Sequence, residues 1–196
     1  MLHDQLKKYK IILASGSPRR AKLIKNLEID FEVKPMDVDE SYPPALKHAE
    51  IAVYLSELKA KAFDLSAKCE NCLVITADTI VWLDNKILLK PTDYDDAVRI
   101  LSTLSGRMHE VITGVTLRTT SKMQTFYSVT KVYFKPLSQE EIHWYVTKFK
   151  PYDKAGAYGG QEWIGYIGIE RIEGSYLNVV GLPVQKLYSE LIAFVQ

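Results

Sequence analysis

The chain has 196 residues, 47% of them hydrophobic and 25% charged, with a net charge of +1. That length supports one large domain or two closely joined lobes with a real core, and the composition excludes a disordered chain. No apolar run reaches the ~20 residues of a bilayer span, the segment Met1 to Lys8 lacks the apolar core of a signal peptide, and a near-neutral balance gives no general field for nucleic acid. A cytoplasmic protein is therefore expected.

In chain order, Ile11-Ile12-Leu13-Ala14 reads as a short buried strand. It leads through Ser15-Gly16-Ser17 into a helix from about Pro18 to Leu27, with Ala21, Ile24 and Leu27 on one face. Ser17 is a suitable N-cap, and Pro18 at the first helical position gives up an N–H that would be unpaired anyway. The helix N–H groups, the hydroxyls of Ser15 and Ser17 and the guanidinium groups of Arg19 and Arg20 would then converge in a way that suits phosphate. The local pattern fits an ordinary capped helix with surface arginines equally well.

Phe31 to Val38 looks extended. A second helix carries the stripe Ile51, Leu55, Leu58, Ala62 and Leu65, with Lys59 one position off it. Cys69 and Cys72 form a lone CxxC that precedes a strand rather than opening a helix. It lacks the partners of a zinc site, so two reduced thiols are expected. Leu73 to Leu83 reads as a buried strand containing Asp78, and Asp84-Asn85 as a turn into Lys86–Leu88, ending at Lys90-Pro91. A third helix uses Ala97, Ile100, Leu101 and Leu104 and stops at Ser105-Gly106. Two strands follow near 109–119 and 123–135. Ser138 and Glu141 make a capping box for a helix carrying Ile142 and Tyr145. A glycine-rich loop at Asp153–Gln161 leads to further strands, and the last helix begins at Pro183. The pattern predicts an α/β protein whose mixed, twisted sheet is flanked by helices.

Among the candidate chemical groups, Asp78 stands out, because an acid inside an apolar strand is costly to bury unless it is paired or binds a metal. Glu40 offers a second oxygen ligand for magnesium, an ion that keeps much of its water, although acidic turns are usually just solvated. Lys59 and Lys90 are more often surface charges than phosphate ligands. Tyr152 and Tyr158 offer faces for a base, though such residues more often pack. His3, His48, His109 and His143 form no metal motif, and the G-x-S-x-G, P-loop and Rossmann signatures are absent.

The ordered set Ala14-Ser15-Gly16-Ser17-Pro18-Arg19-Arg20, Asp39-Glu40, Lys59-Ala60, Ala77-Asp78-Thr79, Lys90-Pro91, Leu104-Ser105-Gly106, Asp153 to Gly159, Gly174-Ser175-Tyr176 and Val180 to Pro183 resembles the Maf family of nucleoside triphosphate pyrophosphatases, over about residues 10 to 192. The resemblance implies a single domain over 1–196 with two lobes around a cleft, similar to the inosine triphosphate pyrophosphatase fold. It also implies a homodimer, a divalent cation (magnesium or manganese), and hydrolysis of a nucleoside triphosphate between its α- and β-phosphates. Asp78 matches the family's catalytic acid, and Arg19, Thr79 and Gln161 match the positions that mark the dTTP/UTP branch. In this reading Ser15, Ser17, Arg19, Arg20, Lys59 and Lys90 hold phosphate, and Glu40 and Asp78 hold the metal. Two competitors are a non-catalytic nucleotide-binding regulator of septum formation and a family enzyme for another base, such as 7-methyl-GTP. The chain departs from the family pattern at Gly160 and Glu162-Trp163, which bears on the base pocket rather than on phosphate chemistry.

Overall fold

A computed structural model describes residues 2–65 and 71–196 of the chain. In order, the elements are α1 (Leu2–Leu6), β1 (Lys10–Leu13), α2 (Pro18–Lys25), β2 (Glu32–Val33), α3 (Ala49–Ala62), β3 (Cys72–Leu83), β4 (Lys86–Leu88), α4 (Tyr94–Leu104), β5 (Met108–Arg118), β6 (Met123–Phe134), α5 (Gln139–Phe149), a 3₁₀ turn at Ala155–Ala157, α6 (Trp163–Gly168), β7 (Ile169–Glu173), α7 (Tyr176–Val180) and α8 (Val184–Val195). Among the described residues seven strands form one mixed sheet in the order β2-β1-β3-β5-β6-β7, with β4 paired to β3. β1 runs parallel to both β2 and β3, and β3–β4 and β6–β7 are antiparallel. The α/β fold with a mixed sheet is therefore present. No helix among the described residues is long and apolar enough to cross a membrane.

The chain divides into two compact units. The first holds residues 1–78, 113–128 and 181–196; the second holds 79–112 and 129–180. In the first, Ile12, Ala14, Leu65 and Val74 share a buried cluster, consistent with the parallel register that sets Ile12 opposite Val74. In the second, Val81, Ile100, Leu104, Phe134, Ile142 and Tyr145 pack into one core.

Several local signals act as expected. Ser17 caps α2, accepting from the Arg20 N–H at 3.5 Å, with proline at the helix start. Ser138 and Glu141 form the reciprocal capping box of α5. Asp84 and Asn85 both stand at positive φ, 49° and 60°, the conformation of a two-residue hairpin turn between paired Leu83 and Lys86.

Other expectations need correction. α2 ends at Lys25, with Glu28 in the left-handed region, so Leu23 and Ile24 form its buried face instead of Ala21, Ile24 and Leu27. Only Glu32–Val33 of the extended segment pairs as a strand. On α3 the buried residues are Ala49, Ile51, Ala52, Leu55, Ser56 and Ala60, while Ala62 is exposed. The region after the glycine-rich loop holds one strand between two short helices, α6 and α7. Cys72 is disulfide-bonded and no described cysteine is free, against the expected pair of thiols; Cys69 lies outside the described residues.

Candidate active site

β1 is a buried strand that delivers Ala14 and Ser15 to its carboxyl end, where the chain turns into α2. The Ser15 hydroxyl accepts the Ser17 N–H at 3.3 Å and an Arg20 Nη1 proton at 3.3 Å. Arg20 Nε donates to the Gly181 carbonyl at 2.9 Å, so this guanidinium braces the turn as well as lending it charge. Burial lowers the Arg20 pKa from its ordinary value; Asp78 opposes that, Arg19 adds to it and Glu40 opposes it. Both carboxylates and Arg19 thus act electrostatically on Arg20.

Lys59 joins those carboxylates. Its Nζ lies 2.5 Å from Asp78 Oδ1 and 2.8 Å from Glu40 Oε1, and the side chains of Lys59 and Asp78 are only 15% and 11% exposed. The strand acid is thus paired, which offsets its desolvation. Lys59, expected to face phosphate, serves here as the shared counterion of two acids.

The position of Lys59 depends on how α3 is seated. A Cβ on Gly114 would stand 2.2 Å from the Ala52 carbonyl oxygen, so only glycine lets β5 approach the helix backbone this closely. Thr76 donates to the Ser56 carbonyl at 2.7 Å, and the Ser56 and Thr116 hydroxyls pair at 3.0 Å. Arg118 donates to the Ala60, Lys61 and Phe63 carbonyls, satisfying acceptors at the helix end and complementing its dipole. Sequence reasoning missed Gly114, Ser56 and Arg118 as supports of Lys59. The signal was a lone glycine inside an otherwise continuous strand pattern.

Ser15, Ser17, Arg19, Arg20, Glu40, Lys59 and Asp78 all belong to the first unit; Thr79, Lys90 and Gln161 belong to the second. Within the second unit, Thr79 is half-buried on β3 and Lys90 is exposed after β4. The neighbouring Leu89 carbonyl accepts the Gly156 N–H at 3.3 Å, which ties the hairpin end to the glycine-rich loop. Gln161 closes that loop half-buried, and its Oε1 is buried with no hydrogen-bond partner among the described residues. Of the two loop tyrosines, Tyr152 is exposed. Tyr158 is core: its hydroxyl pairs with His109 Nε2 at 2.7 Å, and its ring meets Phe134 edge-on at 5.0 Å. Packing accounts for Tyr158. Burial pushes the Tyr158 phenol up and holds His109 at about 3, so both are neutral near pH 7.

The departure at Glu162-Trp163 has a structural counterpart. Trp163 stacks at a tilt on Trp144, with ring centroids 4.4 Å apart. Glu162 accepts from the Tyr145 hydroxyl and pairs with Lys154 Nζ at 3.0 Å. Burial, then the hydrogen bond and charge of Glu162, push the Tyr145 phenol up, so it is the donor in that contact.

As a metal site, Glu40 and Asp78 fit a hard cation, since their oxygens already converge on one positive charge. No group of three His, Cys, Asp or Glu gathers among the described residues, so an ion held here would take further oxygens from water and phosphate, as magnesium commonly does.

Comparison with known proteins matches residues 10–194 to the family described as Maf-like protein. A dTTP/UTP pyrophosphatase of Flavobacterium johnsoniae is 52% identical over 195 residues, covering all of both chains. One of Bacteroides thetaiotaomicron is 54% identical over 187 residues, covering 95% of this chain and 96% of the relative. Among solved structures, the Staphylococcus aureus Ham1 protein aligns over 92% of this chain and 99% of its own, at 18% identity and a TM-score of 0.48.

Proposed function

The chain belongs to the Maf family, and from that premise we propose that it hydrolyses dTTP and UTP to the nucleoside monophosphate and pyrophosphate. The observation that carries this reading is the pairing of Lys59 with both Asp78 and Glu40, two carboxylates whose charge also acts on Arg20 beside Ser15 and the Ser17 cap of α2. Cations and helix N–H groups suit a polyphosphate, whereas two carboxylates in the same place would repel it unless they serve chemistry or a metal.

Asp78 orients a water molecule toward the α-phosphorus and accepts its proton. A bond forms between the water oxygen and phosphorus, the bond to the bridging oxygen breaks, and pyrophosphate leaves with that oxygen. Arg19 and Arg20 offset the charge that grows on the transferred group and the leaving group. Ser15 and Ser17 add donors to the phosphate chain. Glu40 and Asp78 would hold a divalent cation, which when bound neutralises phosphate charge and polarises its oxygens. Lys59 spaces and orients the two acids.

Thymine and uracil present an N–H donor between two carbonyls, and cytosine presents an acceptor at the same ring nitrogen. The unpartnered Gln161 Oε1 supports a donor-reading role, with its amide N–H available to a carbonyl. A base that leaves this buried amide unsatisfied would lose about 1–3 kcal/mol. The homodimer rests on the family resemblance, and sedimentation velocity tests it; the cytoplasmic location rests on the composition.

The deciding experiment is hydrolysis of dTTP, UTP, CTP, dATP, GTP and 7-methyl-GTP with and without magnesium, quantifying pyrophosphate and orthophosphate separately. Metal-dependent pyrophosphate from dTTP and UTP is expected. Preference for another base overturns the Gln161 assignment, and nucleotide binding without turnover turns the protein into a sensor.

A further inference from the structure

The glycine-rich loop is held in a conformation it would not keep by itself. Gly156 and Ala157 both stand at positive φ, 71° and 59°, and for alanine that region is sterically costly. Such a turn persists only when its surroundings fix it. On one side the Gly156 N–H bonds to the Leu89 carbonyl. On the other, the Gly159 N–H donates to the Tyr145 hydroxyl at 3.1 Å, and that hydroxyl donates in turn to Glu162.

Glu162 is the knot of this arrangement. Its carboxylate accepts from the Tyr145 hydroxyl and pairs with the Lys154 ammonium, and Lys154 is itself buried. The ion pair closes the loop on itself from residue 154 to residue 162, and Tyr145 bolts it to α5. The Glu162 N–H bonds to the Gly159 carbonyl at 2.9 Å, and its carbonyl accepts from the Gly165 N–H at 2.9 Å at the start of α6. Just before it, the Gly160 carbonyl receives the Tyr176 hydroxyl at 3.3 Å. That carbonyl lies 2.0 Å from where a Gly165 Cβ would stand. Gln161 therefore sits between two residues whose backbones are fixed, and the Glu162 side chain is fixed as well.

We propose that Glu162, clamped by Lys154 and Tyr145, is the positioning residue that holds the Gln161 amide in its base-reading orientation and sets how sharply pyrimidines are told apart. This rests on Gln161 being the base-contacting side chain. Glu162 itself touches no reacting atom, and its effect falls on discrimination rather than on the phosphate step.

Two readouts on the wild type, Glu162→Gln and the nearly isosteric Tyr145→Phe test it: amide hydrogen exchange across 153–161, and kcat and KM for UTP and CTP. The expected result is faster exchange in both variants and a UTP-to-CTP ratio of kcat/KM that falls about tenfold through KM for UTP. Values of kcat should stay within about twofold, because the clamp is remote from the phosphate chemistry. Unchanged exchange overturns the clamp. Faster exchange with an unchanged ratio, in a wild type that prefers UTP, overturns its role in discrimination. A wild type with no UTP preference overturns the Gln161 reading, and the discrimination role falls with it. Should Glu162→Gln not fold, Tyr145→Phe decides by the same criteria.

Discussion

Lys59 Nζ and Asp78 Oδ1 lie 2.5 Å apart, and the same ammonium reaches Glu40 Oε1 at 2.8 Å, so one cation on α3 neutralises an acid buried in β3 and another on an exposed segment. Acid and counterion are both mostly withdrawn from water.

Replacing Asp78 by asparagine removes the proton acceptor while keeping the shape of the side chain. Turnover of dTTP should fall at least about 100-fold, the usual scale for losing a general base. Lys59 retains Glu40, so the thermal midpoint should move little. Pyrophosphate release and calorimetry on the same sample check both halves.

Lys59→Met strands the Asp78 carboxylate without its counterion. Breaking a mostly buried pair from one side costs about 3 kcal/mol. Adding Asp78→Asn to Lys59→Met should recover part of that loss, because an amide needs no counterion. Urea denaturation of the two single variants and the double variant measures the coupling.

Gly114→Ala places a methyl group where the Ala52 carbonyl already lies, 2.2 Å away. Backbone cannot rotate aside as a side chain can, so α3 must shift, at a cost of about 3 kcal/mol. Because α3 carries Lys59, activity should fall in the fraction that remains folded. Denaturation followed by steady-state kinetics below the midpoint distinguishes this from simple instability.

His109 gives stability a pH dependence of known sign. Its folded pKa is lowered by burial from 6.5 to about 3, so below pH 6.5 the unfolded chain takes up a proton that the folded chain refuses. The contribution is complete above pH 6.5 and is lost progectively as pH falls toward 3, at about 1.4 kcal/mol per unit. Other groups also titrate in this range, so the measurement is the difference between wild type and His109→Gln. Between pH 6.5 and 4.5 the variant should show the shallower decline in unfolding free energy.

What could be read in the sequence was what is local. The Ser17 cap, the Ser138–Glu141 box and the Asp84-Asn85 turn each depend on a few adjacent residues, and each forms. The α3 face was misjudged because Gly114 admits the helix backbone itself. Small side chains such as Ala52, Ser56 and Ala60 then face inward, where a hydrophobic stripe alone favours Leu58 and Ala62. The helices α6 and α7 escaped notice because they are short and contain glycine and β-branched residues, a composition that reads as strand and turn. Asp78 and Glu40 could be nominated from their types, but their common partner follows from the placement of α3, which no short-range pattern encodes.

Arg20 and Gly181 are separated by 161 positions, yet one hydrogen bond links the turn after β1 to the residues that precede α8. During synthesis the ribosome releases the whole Ser15–Arg20 segment early, while the carbonyl that receives Arg20 Nε is still untranslated. The turn after β1 therefore acquires its brace only after residue 181 has emerged, so the part of the chain made first is among the last to be finished.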